Sequence, residues 1–315
     1  MKQSNKSIIE HIPEFLEYLD IEKGLSHNSQ ETYTRLINKF IQWLKDNKID
    51  SLKPHEFNAN HIWDYRVFLS RQYNKSTHKP LKKCSINYYL ISLRNLLNYF
   101  TDRDILSLPS EKIKLVKEKG DKSIKFLGLK QIEKLLSSPD ISNNIGLRDK
   151  SILEVLFSTG LRVAELVSLN RNQIKIEGLD NELEISIIGK GGKIRPVYLS
   201  SRTLKSLKDY LETRKDKDKA LFINYKGPKS ASRRLTTRSI ENIVKKYILK
   251  AGISVQASPH TLRHSFATDL LMQGVDLRIV QEFLGHQNIA TTQIYTHITS
   301  KKLKDVHKKF HSFGK

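Results

Sequence analysis

Apolar residues in the first hundred positions recur at helical spacing. Tyr33, Leu36, Ile37, Phe40, Ile41 and Leu44 follow one another at intervals that line one face of a helix. Asn28 is placed to cap that helix, with Glu31 three residues on as the partner in a capping box. Ile86, Tyr89, Leu90, Leu93, Leu97 and Phe100 repeat the pattern, and shorter apolar faces lie near residues 8–20 and 59–73. Four helices bury these faces together. The aromatic residues belong to that core, because they sit at helix spacing and not on the alternating positions of a base-stacking sheet.

The pattern then lapses. Residues 109–125, PSEKIKLVKEKGDKSIK, are charged with scattered apolar positions and a central glycine, which predicts an extended linker. The predicted organisation is a helical domain over 1–110, a linker over 111–125 and a second domain over 126–315. Helices are predicted at 129–137 and 147–157, with a break at Gly160 before another through Ala164, Leu166 and Leu169. ELEISII alternates, GKGG supplies turn glycines and IRPVYL resumes an extended pattern, so residues 182–199 predict a β-hairpin. Helices dominate from residue 201 onward. The charged run ETRKDKDK at 212–219 reads as a solvated helix end or loop. The fold class is mainly α with one small antiparallel hairpin, a helical domain followed by a mixed α/β domain.

Composition sharpens this picture through charge. Lysine and arginine total 55 against 33 acidic residues, and of the net +22 only +4 falls in residues 1–110 while +18 falls in 111–315. Such a field exceeds what solubility needs and points to a polyanion, since each phosphate neutralised releases counterions. A ribosome-associated protein, or one merely rich in lysine, gives the same total. Cys84 is the single cysteine, which excludes an intrachain disulfide and any zinc site needing two thiolates, and fits a reducing cytosol. The opening MKQSNKSIIEHIPEF has no signal-peptide core, and no stretch approaches the roughly 18 apolar residues of a membrane span, so a cytoplasmic location is expected.

Four segments of the second domain carry candidate chemistry. In TGLRVAEL, Arg162 follows a glycine break at a helix start, where a guanidinium and free N–H groups can grip a phosphate; an ion pair with Glu165 accounts for it equally. In IGKGGKIRPVYL, Lys190 sits at the hairpin tip, free to swing toward a ligand, although charged tips also serve solubility alone. A phosphate-binding GxxxxGK[ST] loop is absent.

SPHTLRHSFATDLLMQG is marked as a helix at both ends, by Ser258 as cap, Pro259 in the first turn and Gly274 as stop. His260 and Arg263 share a face there. His260 and His264 match metal-ligand spacing, but Thr261 stands where a zincin needs glutamate. In FLGHQNIATTQIYTH, His286 follows a glycine and Tyr295 lies nine residues on. Two arginines, two histidines, a lysine and a tyrosine are the parts of a phosphodiester transfer without metal. Positioned donors stabilise the charge that builds on a pentavalent phosphorane, and the same cations favour the phenolate of a tyrosine whose ordinary pKa is about 10.

These motifs, TGLRVAEL, GKGGKIRPVYL, HTLRHSFAT and LGHQNIATTQIYTH, with the tail KKLKDVHKKFH, resemble in order and separation the tyrosine recombinase (integrase) family, most of all its Xer-type members. GLSHNSQETYTRLINKFIQWL and SINYYLISLRNLLNYF are similar to the helical core-binding domain of that family, ahead of its catalytic domain. The resemblance implies Arg162 and Arg263 as a phosphate clamp, Lys190 as general acid, His260 and His286 as transition-state donors and Tyr295 as nucleophile. It also implies double-stranded DNA as substrate, a 3′-phosphotyrosyl intermediate, a Holliday junction within a homotetramer or a heterotetramer with a related recombinase, and no cofactor. An extra amino-terminal arm-binding domain is not expected, and regulation by an accessory protein or by exchange of the tail is common in the family. Arg233, Arg234 and Arg238 are further expected DNA contacts. A type IB topoisomerase and a non-catalytic DNA-binding module are the rival readings.

Overall fold

The computed structural model describes residues 1–74, 78–116, 125–175, 182–189, 192–226 and 232–285. The chain divides into two compact units, Met1–Asp121 and Lys122–Lys315.

In the first unit the four predicted helices are present as α1 (Ile12–Ile21), α2 (His27–Asp46), α3 (Ala59–Ser70) and α4 (Lys83–Asp102). Their apolar faces turn inward, with Phe15, Ile37, Phe40, Leu44, Tyr65, Leu69, Leu90, Leu93, Leu97 and Phe100 all buried. Fully burying side chains of this size stabilises the fold by about 1.5–3 kcal/mol each. The Phe40 ring meets Trp43, Phe57 and Tyr65 at centroid distances of 5.6, 5.8 and 5.1 Å, so these aromatics are core as predicted.

The helix start at Asn28 is corrected by two residues. Ser26 has the extended backbone of the N-cap position, and its carbonyl accepts from Ser29 and Gln30 N–H. Asn28 lies inside the first turn, where its carbonyl accepts the Thr32 hydroxyl, and Glu31 pairs with His27 at 3.3 Å. The first unit also runs past the predicted linker start. Ile113 and Leu115 pack into its core, and the Asn87 side chain both donates to Val116 O and accepts from Val116 N. Alternation with Lys112 and Lys114 hid these two apolar anchors; residues 117–124 lie outside the described residues.

The second unit is built around α6 (Asn144–Thr159), whose Ile152, Leu153, Val155 and Leu156 are wholly buried. Around it pack α5 (Leu129–Leu136), α7 (Val163–Ser168), strands β1 (Glu182–Ile188) and β2 (Ile194–Ser200), α8 (Ser201–Glu212), α9 (Thr237–Lys250) and α10 (Pro259–Gln273); α11 (Leu277–Leu284) packs on α10. Burying a charge on α6 is costly unless it is paired. Arg148 accordingly donates to Asp149 and to Ile223 O, Asp149 also accepts from the Tyr247 hydroxyl, and Glu154 accepts from Arg202. The strands pair antiparallel in the register Glu182↔Ser200 to Ile188↔Ile194, as the hairpin pattern predicts. Among the described residues no helix is long and apolar enough to cross a membrane.

The run at 212–219 follows the end of α8 with Glu212, Lys215, Lys217 and Lys219 exposed as expected, but Arg214 is not solvated. The Arg214 side chain is 0% exposed, with Nε and Nη2 on the two oxygens of Asp216 at 2.6 and 2.7 Å and Nη1 on Tyr210 Oη and Leu221 O. Asp216 also meets Arg233 at 3.2 Å, and Asp218 accepts from the N–H groups of Ala220 and Arg233. The hydrogen bond from Arg214 holds the Asp216 carboxyl well below the usual carboxylate range. A carboxylate depressed on folding adds stability that is complete above its unfolded pKa and is lost as pH falls through the folded value. Asp216→Asn is expected to cost about 3 kcal/mol in urea unfolding at pH 7, because it strands a buried guanidinium. The deficit relative to the wild type shrinks once the pH passes below the ordinary carboxyl value of 3.8.

Candidate active site

Two left-handed glycines frame the site. Gly160 ends α6 at φ +59°, and the carbonyl it turns outward accepts a hydrogen bond from Arg263 Nη1 at 2.7 Å. Gly285 ends α11 at φ +60°. Neither tolerates a side chain, since a Cβ on Gly160 meets Phe266 Cδ1 at 2.4 Å and one on Gly285 meets Arg195 Nε at 2.6 Å.

Arg162 follows the first of these breaks as the extended residue before α7. The Arg162 N–H at this helix start is not free for an anion, since it donates to Glu165 Oε2 at 2.9 Å, and α7 spans only six residues. The guanidinium carries the charge instead. Its Nη1 donates to Glu165 Oε1 at 2.8 Å and Nη2 to Gly285 O at 3.1 Å, with the side chain 27% exposed. The ion pair with Glu165 expected from the three-residue spacing is therefore present, and it orients the arginine rather than hiding it.

Arg263 comes from the first turns of α10, whose start is set as the sequence predicts: Ser258 accepts from Thr261 N–H, and Pro259 is the first helical residue. Arg263 is buried, with Nη2 on Leu284 O at 2.5 Å. Arg162 and Arg263 thus meet on neighbouring carbonyls of one turn. His260, one helical turn earlier, is exposed, and His264 is half-buried with its pKa lowered by burial first and by His260 and Arg263 next. Among the described residues no cluster of three or more metal-ligating side chains occurs.

A third arginine, absent from the sequence reading, completes the arrangement. Arg195 Nη2 donates to Glu165 Oε2 and Nη1 to Phe283 O, both at 2.9 Å. Its signal was its register, for it shares the inward face of β2 with Val197 and Leu199 while Ile194 and Tyr198 face out. Phe283, Leu284 and Gly285 are the last residues of α11 and its cap, where carbonyls lack partners within the helix and its dipole favours cations. Three guanidiniums hold three successive carbonyls there. Beside Arg162 a cleft of about 420 Å³ opens between Gly189 and Lys193 at the hairpin end and Glu282 and Gly285 of α11.

Lys190, His286 and Tyr295 lie outside the described residues, as does the tail from Lys301. Of the other arginines, Arg234 donates to Val167 O, Leu169 O and Asn170 Oδ1, and Arg233 pairs with Asp216. Arg238 is 79% exposed and meets Glu241.

Comparison with known proteins places this geometry. Residues 125–302 match the phage integrase family, and residues 12–104 match the phage integrase N-terminal SAM-like domain. The tyrosine recombinase XerD of Listeria innocua is 38% identical over 309 residues, spanning 95% of this chain and 98% of the relative. That of Lacticaseibacillus casei is 36% identical over 310 residues, 96% and 99% of the two chains. In fold, the chain is similar to the XerH site-specific recombinase bound to palindromic difH substrate, with TM-score 0.72 and 24% identity over 99% of this chain and 92% of that one. The sequence-level resemblance is thereby confirmed: the chain belongs to the phage integrase family and is a tyrosine recombinase.

Proposed function

We propose that this recombinase acts on a double-stranded DNA core site with Arg162 and Arg263 as the clamp on the scissile phosphate. The observation that carries the reading is the convergence of these two guanidiniums on adjacent carbonyls of the 284–285 turn, immediately before His286 in the chain. Exposed His260 on the turn of α10 that precedes Arg263, and His286 from its place after Gly285, add donors to the non-bridging oxygens. Such donors act on charge that develops only in the transition state.

Tyr295 Oη, its proton released to solvent, attacks phosphorus, the bond to the 5′ oxygen breaks, and that oxygen takes a proton from Lys190. A 3′-phosphotyrosyl link and a 5′ hydroxyl result. Attack by the 5′ hydroxyl of the partner strand reverses the step and exchanges strands through a Holliday junction. Gly189 and Lys193, which bracket the Lys190 tip, line the same cleft as Arg162, in support of its assignment.

The assembly is a tetramer on DNA, of this chain alone or with a related recombinase, working in the cytoplasm under control of an accessory protein. We place its task in resolving chromosome dimers; a mapped site at the ends of a mobile element would assign integration and excision instead. Arg238 is the best placed of the three outlying arginines for phosphate contact, since the guanidinium of Arg234 is engaged internally and that of Arg233 is held against Asp216.

Incubation with a nicked core site in EDTA, followed by denaturing electrophoresis, is expected to show a covalent adduct that Tyr295→Phe abolishes. Absence of an adduct on every bound site would return the chain to a DNA-binding module. Arg162→Gln is expected to slow adduct formation by about 10²–10³-fold at saturating DNA. Lys190→Ala is expected to be inactive on ordinary DNA yet active on a substrate with sulfur at the bridging 5′ position, because a thiolate leaves without needing a proton. Raising salt from 50 to 200 mM is expected to weaken binding by about 10³-fold or more, read by titration of labelled duplex.

A further inference from the structure

We propose that Arg195 is a positioning residue for strand cleavage, holding Glu165 and the end of α11 so that Arg162 presents its guanidinium at the scissile phosphate. The proposal rests on the reading of Arg162 as part of the phosphate clamp.

Four observations carry it. Arg195 is buried in a strand position whose inward neighbours are Val197 and Leu199, a place where a guanidinium is costly without dedicated partners. Its two terminal nitrogens are divided between two separate segments, Glu165 Oε2 near the start of α7 and Phe283 O at the end of α11. Glu165 is fully engaged as a result, with Oε1 held by Arg162 Nη1 and Oε2 shared by the Arg162 N–H and Arg195 Nη2. The Arg195 side chain also lies flush on the 285 backbone, where a Cβ on Gly285 falls 2.6 Å from Nε and 2.7 Å from Cδ.

Arg162 depends on both segments that Arg195 ties together. One of its terminal nitrogens is set by Glu165 and the other by Gly285 O, two residues beyond the carbonyl that Arg195 holds. Removing Arg195 frees the carboxylate to pull Arg162 alone and leaves the Phe283 carbonyl without its donor. Lysine is not an equivalent replacement, because one ammonium lacks the planar fork that spans a carboxylate and a carbonyl on opposite sides. Burial lowers the Arg195 pKa while Glu165 works against that shift, as expected of a cation retained for its partners.

The test uses full-length Arg195→Gln and Arg195→Lys on a nicked core site, with affinity, melting temperature and single-turnover adduct formation at saturating DNA measured separately. A positioning role predicts affinity within about threefold of wild type and adduct formation slowed about 10–100-fold in Arg195→Gln, with Arg195→Lys between the two. Glu165→Gln added to Arg195→Gln is expected to slow the reaction by much less than the product of the two single effects, the mark of residues acting through one contact.

Wild-type adduct rates in both variants would overturn the proposal, as would a fall in melting temperature and affinity with the saturated rate intact. If Arg195→Gln fails to fold, Arg195→Lys decides by the same measurements, and failure of both assigns Arg195 to the fold alone. Tyr295→Phe run alongside separates the two levels. An adduct persisting in that variant defeats the reading of the site, whereas an inactive Tyr295→Phe beside fully active Arg195 variants defeats only the positioning role.

Discussion

The catalytic unit depends on the unpaired carbonyls at the end of one short helix. Among the described residues no backbone N–H reaches the oxygens of Phe283, Leu284 and Gly285, and the chain supplies Arg195, Arg263 and Arg162 in turn. Three like charges brought so close repel one another. Glu165, buried and bonded to two of them, supplies the compensating negative charge, and the dipole of α11 adds to it. The cluster therefore holds itself together while keeping an excess of positive charge beside an open cleft. That combination suits a site whose ligand is an anion and whose transition state is more anionic still.

Much of the fold was legible because periodicity reports burial directly. All four helices of the first unit, the hairpin and the doubly marked α10 follow from spacing and end signals, and the structure shifts their ends by a few residues. The errors share a cause. Asn28 is an acceptable cap, but Ser26 reaches the extended conformation first, and helix starts are decided by backbone geometry that composition does not carry. The run at 212–219 alternates charges as solvated segments do. Its one internal residue is Arg214, over which the Tyr210 hydroxyl and the carbonyls of Ala220 and Leu221 fold.

The site was legible where the motif was local. Arg162, His260 and Arg263 stand out through their glycine and proline context, and the structure brings the two arginines to one turn. Arg195 escaped notice because its significance lies in partners 30 and 88 residues away along the chain. Only its inward register among aliphatic residues hinted that it was not a surface charge. Glu165 was visible as a neighbour of Arg162, but its second partner was not. Sequence motifs thus mark residues with a distinctive local context more readily than the residues that pack behind them.

The two left-handed glycines have an implication for how such an enzyme can diverge. A methyl group on Gly160 runs into the ring of Phe266 and one on Gly285 into the side chain of Arg195, so neither corner accepts a larger residue without moving a packed side chain. The hairpin end lies between two strands whose pairing is complete from Glu182↔Ser200 to Ile188↔Ile194, so length can change there without disturbing the corners. The corners are therefore closed to variation, and because the hairpin end carries Lys190, the proposed general acid, a change of length there must still leave that ammonium within reach of the cleft beside Arg162.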